Sequence, residues 1–307
     1  MGLTRREFVK SVSLTVAAAA TSAAGADDRL PLAFSTLGCP AWPWSKVLEY
    51  AAGHGFAAIE LRGLEGNLDL PSHAAFAAAQ MARTRGEIRA RGLRIACVSS
   101  SARMDESDPT KRKEQMSDAR RFIDLAAELE SPYVRVFPTG SATEDAGAPT
   151  EGLRERVAAG LKDLGDYAGR QKVTVILESH DNLVTSAALK DVLQRADSAH
   201  VGLLWDAHHT FASGKEDPEF TAGQLGKWIR HTHLKDSVTD GKDRRYVLTG
   251  RGDVPIRRQV AALHKLGYKG FFCFEWEKVW HPELADPEVA FADYARVMTQ
   301  YLRGVAD

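Results

Sequence analysis

The chain has 307 residues, and its 40 Lys and Arg against 41 Asp and Glu leave a formal net charge of −1. Both signs are interspersed, so there is no basic field to hold a phosphate backbone, and nucleic acid is excluded as a partner. Cys39, Cys97 and Cys273 lie on separate apolar segments without CxxC spacing, which excludes a disulfide framework and reads as small buried core residues; a single disulfide stays open in an oxidising compartment.

Thr4-Arg5-Arg6-Glu7-Phe8-Val9-Lys10 is a twin-arginine export pattern followed by an alanine-rich stretch over 11–20. That stretch is too short for the roughly 20 residues of a membrane span. Ala24-Gly25-Ala26 supplies the small residues of a cleavage site, which predicts a signal peptide over 1–26, a mature start near Asp27 and delivery to the periplasm. A frayed basic helix does not explain why arginine pair, apolar run and cleavage site come in that order. The mature part, 27–307, holds 281 residues, close to the roughly 250 typical of a (β/α)8 barrel, and needs no second domain. No other apolar run approaches a membrane span, so no stable membrane association is expected after processing.

Short apolar, β-branched runs then recur about every thirty residues, at 32–36, 57–61, 93–99, 133–137, 173–177, 201–204, 229–233 and 270–274. Between them, 46–53, 74–91, 112–130, 153–170, 186–196 and 256–266 carry helical periodicity. Gly53-His54-Gly55 and Leu266-Gly267-Tyr268 supply helix stops before the next strand. No Gly-x-Gly-x-x-Gly follows the first strand, so eight alternating units predict an α/β fold of the closed (β/α)8 TIM barrel type, a single domain, over an open doubly wound sheet. Two longer polar loops, 101–113 and 237–255, are placed to cover the mouth.

Function in such barrels sits at the C-terminal ends of the strands. Four ends carry candidate ligands: Glu178-Ser179-His180, Asp206-Ala207-His208-His209, His231-Thr232-His233 before Leu234-Lys235-Asp236, and Glu275-Trp276-Glu277. Glu178 to Asp206 is 28 residues and Asp206 to His233 is 27, each about one βα unit, so consecutive ends converge on the axis. Alone, each has an ordinary role as helix cap or ion-pair partner. Together, three carboxylates would repel by roughly 4 kcal/mol per close pair at an effective dielectric of 20, and a divalent cation removes that repulsion. Oxygen ligands with one imidazole suit Mn²⁺ first, with Mg²⁺, Co²⁺ or Zn²⁺ as alternatives.

These residues resemble the xylose isomerase-like barrel family of sugar phosphate isomerases and epimerases, which also includes tagatose 3-epimerase-like enzymes, hydroxypyruvate isomerases and inosose dehydratases. The likeness runs over most of the mature chain. It is strongest at Ile176-Leu177-Glu178-Ser179-His180, Asp206-Ala207-His208-His209, His233-Leu234-Lys235-Asp236, Gly250-Arg251-Gly252-Asp253 and Gly267-Tyr268-Lys269-Gly270 through Glu275, and Ile59-Glu60-Leu61 also fits. The resemblance implies that Glu178, Asp206, His233 and Glu275 hold one divalent metal, with Glu178 and Glu275 as acid and base. It selects His233 over His231, which is left packed or supporting, although strand alternation allows both to point inward. His180, His209, Lys235, Arg251 and Glu60 are implied as substrate contacts, with Arg62 as a weaker one. Lys235 is read equally as a group that neutralises an oxyanion or substrate acid and as a partner of Asp236.

The implied reaction is metal-dependent isomerisation or epimerisation of a sugar or sugar derivative by proton abstraction next to a carbonyl, through an enediolate. Trp42, Trp44, Trp205, Trp276 and Phe274 read as apolar walls that raise carboxylate basicity, or equally as core. The same residues suit a lyase or dehydratase acting on a keto-sugar or keto-glycoside; a catalytically inactive periplasmic carbohydrate-binding protein is the reading from another class. Three-metal endonuclease chemistry is disfavoured by charge and by too few His and Asp ligands. Export favours a free sugar, polyol or oxidised glycoside over a phosphorylated one. The particular sugar and the choice between monomer and homo-oligomer stay open.

Overall fold

The computed structural model describes residues 29–140, 147–241 and 243–306. The signal segment predicted at 1–26 lies outside them. Eight parallel strands form the barrel: β1 (Leu32–Ser35), β2 (Ala58–Leu61), β3 (Arg94–Arg103), β4 (Tyr133–Phe137), β5 (Thr174–Glu178), β6 (Val201–Asp206), β7 (Ile229–Leu234) and β10 (Phe272–Phe274). They pair in chain order, and β10 closes the ring onto β1. The helices between them are α1 (Trp44–Gly53), α2 (Ala78–Ala90), α3 (Pro109–Glu128), α4 (Glu151–Gly169), α5 (Ser186–Ala196), α6 (Ala207–Ala212), α7 (Pro218–Leu225), α8 (Ile256–Lys265) and α9 (Pro287–Ala306). An antiparallel hairpin, β8 (Asp236–Asp240) and β9 (Asp243–Val247), follows β7.

All eight predicted strands and the closed barrel are present. Helix starts follow local chemistry. Asp108 accepts hydrogen bonds from Thr110 N and Lys111 N ahead of Pro109, whose missing N–H is harmless in the first turn. Thr150 caps α4 and Thr185 caps α5 in the same way. The structure departs from expectation in two loops. β3 runs on to Arg103 and α3 begins at Pro109, shortening the loop expected at 101–113. Much of 237–255 is the β8–β9 hairpin.

The main apolar core lies outside the ring, between strands and helices. Phe34, Phe56, Phe274, Phe291 and Tyr294 are wholly buried there, and complete burial of such side chains contributes roughly 1.5–3 kcal/mol each. Inside the ring the fill is small, with Ala33, Ala58, Ala96 and Cys273 in one cluster and Cys97, Ile176 and Leu204 in another. That leaves space above them for polar side chains. The three cysteines are free and buried, and among the described residues no helix is long and apolar enough to cross a membrane.

Candidate metal centre

Side chains alternate across a strand, so residues two apart share the barrel interior. Glu178 and Asp206 end β5 and β6, His233 sits one residue before the end of β7, and Glu275 follows β10. Register pairs Asp206 with His233 directly. One ligand atom from each of Glu178, Asp206, His233 and Glu275 lies within 4.8 Å of the other three, and all four residues are buried. His233 Nδ1 is 3.1 Å from Glu178 Oε1, 3.1 Å from Glu275 Oε1 and 3.9 Å from Asp206 Oδ2. The four residues expected as ligands therefore converge on one point.

Asp206 shows how local structure serves the site. Its Oδ1 accepts from His208 N and His209 N and so caps α6, which leaves Oδ2 facing His233 and Lys235. Glu60 lies beneath the ligands: its Oε2 is 2.8 Å from the Nε2 of both His231 and His233, and its Oε1 accepts from Ser35 Oγ at 3.1 Å. Burial opposes its charge, but His233 and His231 outweigh burial and hold the carboxyl well below the usual range. An ionised Glu60 accepts an N–H from His233 Nε2, so neutral His233 turns the Nδ1 lone pair toward the carboxylates of Glu178 and Glu275. A lone pair and carboxylate oxygens facing one another without a proton between them is an arrangement that a cation completes.

Three cations support the cluster. Lys235, 1 % exposed, reaches Asp206 Oδ2 at 2.8 Å and Glu277 Oε1 at 2.7 Å, and also contacts Glu275 Oε2. Burial disfavours its charge, but these carboxylates hold its pKa well above the ordinary lysine value. Arg135 Nε is 3.2 Å from Glu178 Oε2. Burial would raise Glu178, yet Arg135 and His233 bring it down to about 2. Arg62 also lies at the cavity wall. Five carboxylates (Glu60, Glu178, Asp206, Glu275 and Glu277) thus face Lys235, Arg135 and Arg62. With His233 neutral, the excess is two negative charges, which one divalent ion offsets. In its absence the protein compensates by protonating His233: burial opposes this, but Glu275, Glu60 and Glu178 raise its pKa well above the usual value.

A cavity of about 600 Å³ opens over the cluster, lined by Glu178, Glu275, His180, His209, Tyr246 and Trp280 among others. The expected contacts His180 and His209 are therefore at the cavity, and His180 Nδ1 is held 3.0 Å from Asp181 Oδ1. Glu60 is not a cavity residue, being wholly buried below His233. Arg251 also stands elsewhere, its side chain 59 % exposed and paired with Asp293. Asp236 is not a partner of Lys235; its carboxylate accepts backbone N–H groups from Ser237, Gly250, Gly252 and Val254 and fastens the loop beyond the hairpin. A Cβ at Gly252 would meet Asp236 Oδ1 at 2.2 Å, which explains the glycine in Gly250-Arg251-Gly252-Asp253.

Of the two readings of Trp42, Trp44, Trp205, Trp276 and Phe274, cavity wall or core, the structure gives core. Trp205, Trp276 and Phe274 neighbour the inward-facing Asp206 and Glu275, so alternation turns them outward. Trp42 packs on Tyr50 and Phe291, and Trp44 on Phe76. Phe137, Tyr246 and Trp280 supply the cavity's aromatic surface. Arg135 and Tyr246 line the cavity and were absent from the sequence reading, and Glu277 was named there without a role; an arginine between Val134 and Val136 in an apolar strand was the available signal for the first.

A family model described as Xylose isomerase-like TIM barrel matches residues 48–300. Among curated relatives, inosose dehydratase 2 of Bacillus cereus is 28 % identical over 155 residues, 45 % of this chain and 51 % of that protein. The chain thus spans about half the length of that relative. Among solved structures, the IOLI protein with a bound zinc atom superposes with a TM-score of 0.74 at 18 % identity, covering 90 % of this chain and 99 % of that one. L-ribulose 3-epimerase gives 0.73 at 19 % identity, covering 90 % and 95 %. Both structural likenesses speak for the fold.

Proposed function

The chain belongs to the xylose isomerase-like TIM barrel family, and from that premise we propose that it is a divalent-metal-dependent isomerase or epimerase that moves a proton next to the carbonyl of a sugar derivative. The observation that carries this reading is the convergence of Glu178, Asp206, His233 and Glu275 at the floor of a cavity of about 600 Å³, a size suited to a small carbohydrate. When bound there, a divalent ion supplies positive charge beside the substrate oxygens on which negative charge collects. Mn²⁺ is the first choice for this oxygen-rich set.

The remaining chemistry belongs to the side chains. Glu178 and Glu275 both border the cavity, from strands separated by β6 and β7, so their carboxylates stand on different sides of a bound substrate. Glu178 and Glu275 are both held ionised, ready for one to accept the proton and for the other, once protonated, to return one on the opposite face. Lys235, fixed by Asp206, Glu275 and Glu277, keeps the Glu275 carboxylate in place. His180 and His209 provide polar contacts at the wall, and Trp280 and Tyr246 provide surfaces for a sugar face.

A dehydratase is the second reading, favoured by the inosose dehydratase likeness; it shares proton abstraction and differs in losing a β-hydroxyl. The test is to incubate metal-loaded protein with free and keto-sugars in D₂O and to follow deuterium incorporation and products by NMR. Exchange at the carbon beside the carbonyl, with epimer or ketose formed, is expected. Exchange accompanied by loss of water shifts the assignment to the dehydratase. Absence of exchange with every sugar contradicts the proton-transfer reading.

A further inference from the structure

Arg62 follows β2 and is only 5 % exposed, yet its buried Nη1 has no hydrogen-bond partner among the described residues. Its backbone N–H is fixed by Thr36 Oγ1 at 2.9 Å, so the residue is anchored while its Nη1 donor is not answered. The ring of Phe137, 5.8 Å away, gives only weak compensation. Arg135 packs its guanidinium on the same ring at 3.7 Å, and its Nη1 also lacks an acceptor. Burial and the neighbouring charge of Arg135 lower the pKa of Arg62 against the attraction of Glu178, Glu275 and Glu60, although a guanidinium stays protonated in a protein. Both arginines line the cavity that holds Glu178 and Glu275, and Arg103 and Ser101 border it too.

A buried charged donor without an acceptor is costly for a folded chain, and a neighbour of like charge adds to the cost. A neutral sugar would bring acceptors but no charge. A carboxylate or phosphate brings both, and its oxygens match the planar fork of a guanidinium. We propose that Arg62, with Arg135 beside it, forms an anion subsite on the β2–β4 side of the cavity, so that the substrate is a sugar derivative carrying a carboxylate or phosphate group. The proposal rests on the cavity being the substrate site, and it narrows the substrate class.

Calorimetric titration of the Mn²⁺-loaded protein with D-glucose, D-glucuronate and D-glucose 6-phosphate compares one ring with a neutral, a carboxylate and a phosphate group. At least one anion should bind about 10-fold or more tightly than glucose, the usual size of a charge-assisted contact, and the better anion identifies the source. Arg62→Met should abolish the preference, and Arg62→Lys should keep part of it. Anion affinity no better than that of glucose, undetectable binding of both anions included, overturns the subsite, as does a preference that survives in Arg62→Met. Deuterium exchange separates this from the enzymatic reading. Anion binding through Arg62 without exchange on any sugar supports the subsite and removes the proton-transfer role, whereas exchange on neutral sugars with no anion preference does the reverse.

Discussion

Replacing Lys235 with Met keeps the length and packing of the stem and removes one charge. Its Nζ lies at 2.8 Å from Asp206 Oδ2 and 2.7 Å from Glu277 Oε1, and in contact with Glu275, all within a buried cluster. Loss of one partner from a buried ion pair costs about 3–5 kcal/mol, because the other charges remain buried. At roughly 2–4 °C per kcal/mol for a domain of this size, the metal-free variant should melt about 6–20 °C below the parent protein. On the proposed ligand set a divalent ion would be held by two of the three stranded carboxylates, Asp206 and Glu275, so metal should recover most of the deficit. The gap between metal-free and metal-loaded melting temperatures should therefore be wider in the variant. Differential scanning calorimetry of both proteins, with chelator and with Mn²⁺, measures this. A metal-free variant that melts with the parent, or a gap that narrows, would refute the view that Lys235 balances ligand charge.

Metal-free protein should be most stable between about pH 4.5 and 6.5, limits set by the ordinary values of Glu178 and His233. Glu178 is lowered to about 2, so its contribution is complete above 4.5 and is lost as pH falls toward 2; His233 is raised, so its contribution is complete below 6.5 and is lost as pH rises through its folded value. Chemical denaturation across pH tests both limbs, and metal affinity should strengthen with rising pH because the ion displaces a proton from His233. Glu60→Gln removes the acceptor that orients His233 and should weaken metal binding about 10–100-fold, read by competition with a chelator dye; unchanged affinity would free His233 from dependence on Glu60. We also propose export in folded form through the twin-arginine segment: replacing Arg5 and Arg6 with Lys should leave the protein in the cytoplasm on cell fractionation, and normal periplasmic recovery would contradict it.

The barrel was legible because its strands are short apolar runs at a regular interval. The convergence of Glu178, Asp206, His233 and Glu275 was legible because strand ends point to one mouth. Depth was not. Glu60 sits one residue before the end of β2, close to where Glu178 ends β5, yet it pairs with Ser35 below Glu178 and His233, and spacing along the chain carries no information on height in the barrel. The outward turn of Trp205, Phe274 and Trp276 does follow from alternation beside Asp206 and Glu275. The hairpin over 236–247 hides because both its faces are polar, leaving Asp240-Gly241 as its main turn signal. α9 was missing from the sequence reading although Ala290, Phe291, Tyr294, Val297 and Met298 keep helical spacing. Arg135 and Arg62 acquire meaning only when two distant strands bring them to one aromatic ring.

The central claim is that Glu178, Asp206, His233 and Glu275 together hold one divalent ion. Elemental analysis of the purified protein beside His233→Ala, after equilibration with limiting Mn²⁺, tests it most directly. The account predicts close to one ion per chain in the parent and little in a folded His233→Ala. Equal metal content in the two proteins would remove His233 from the ligand set and contradict the account.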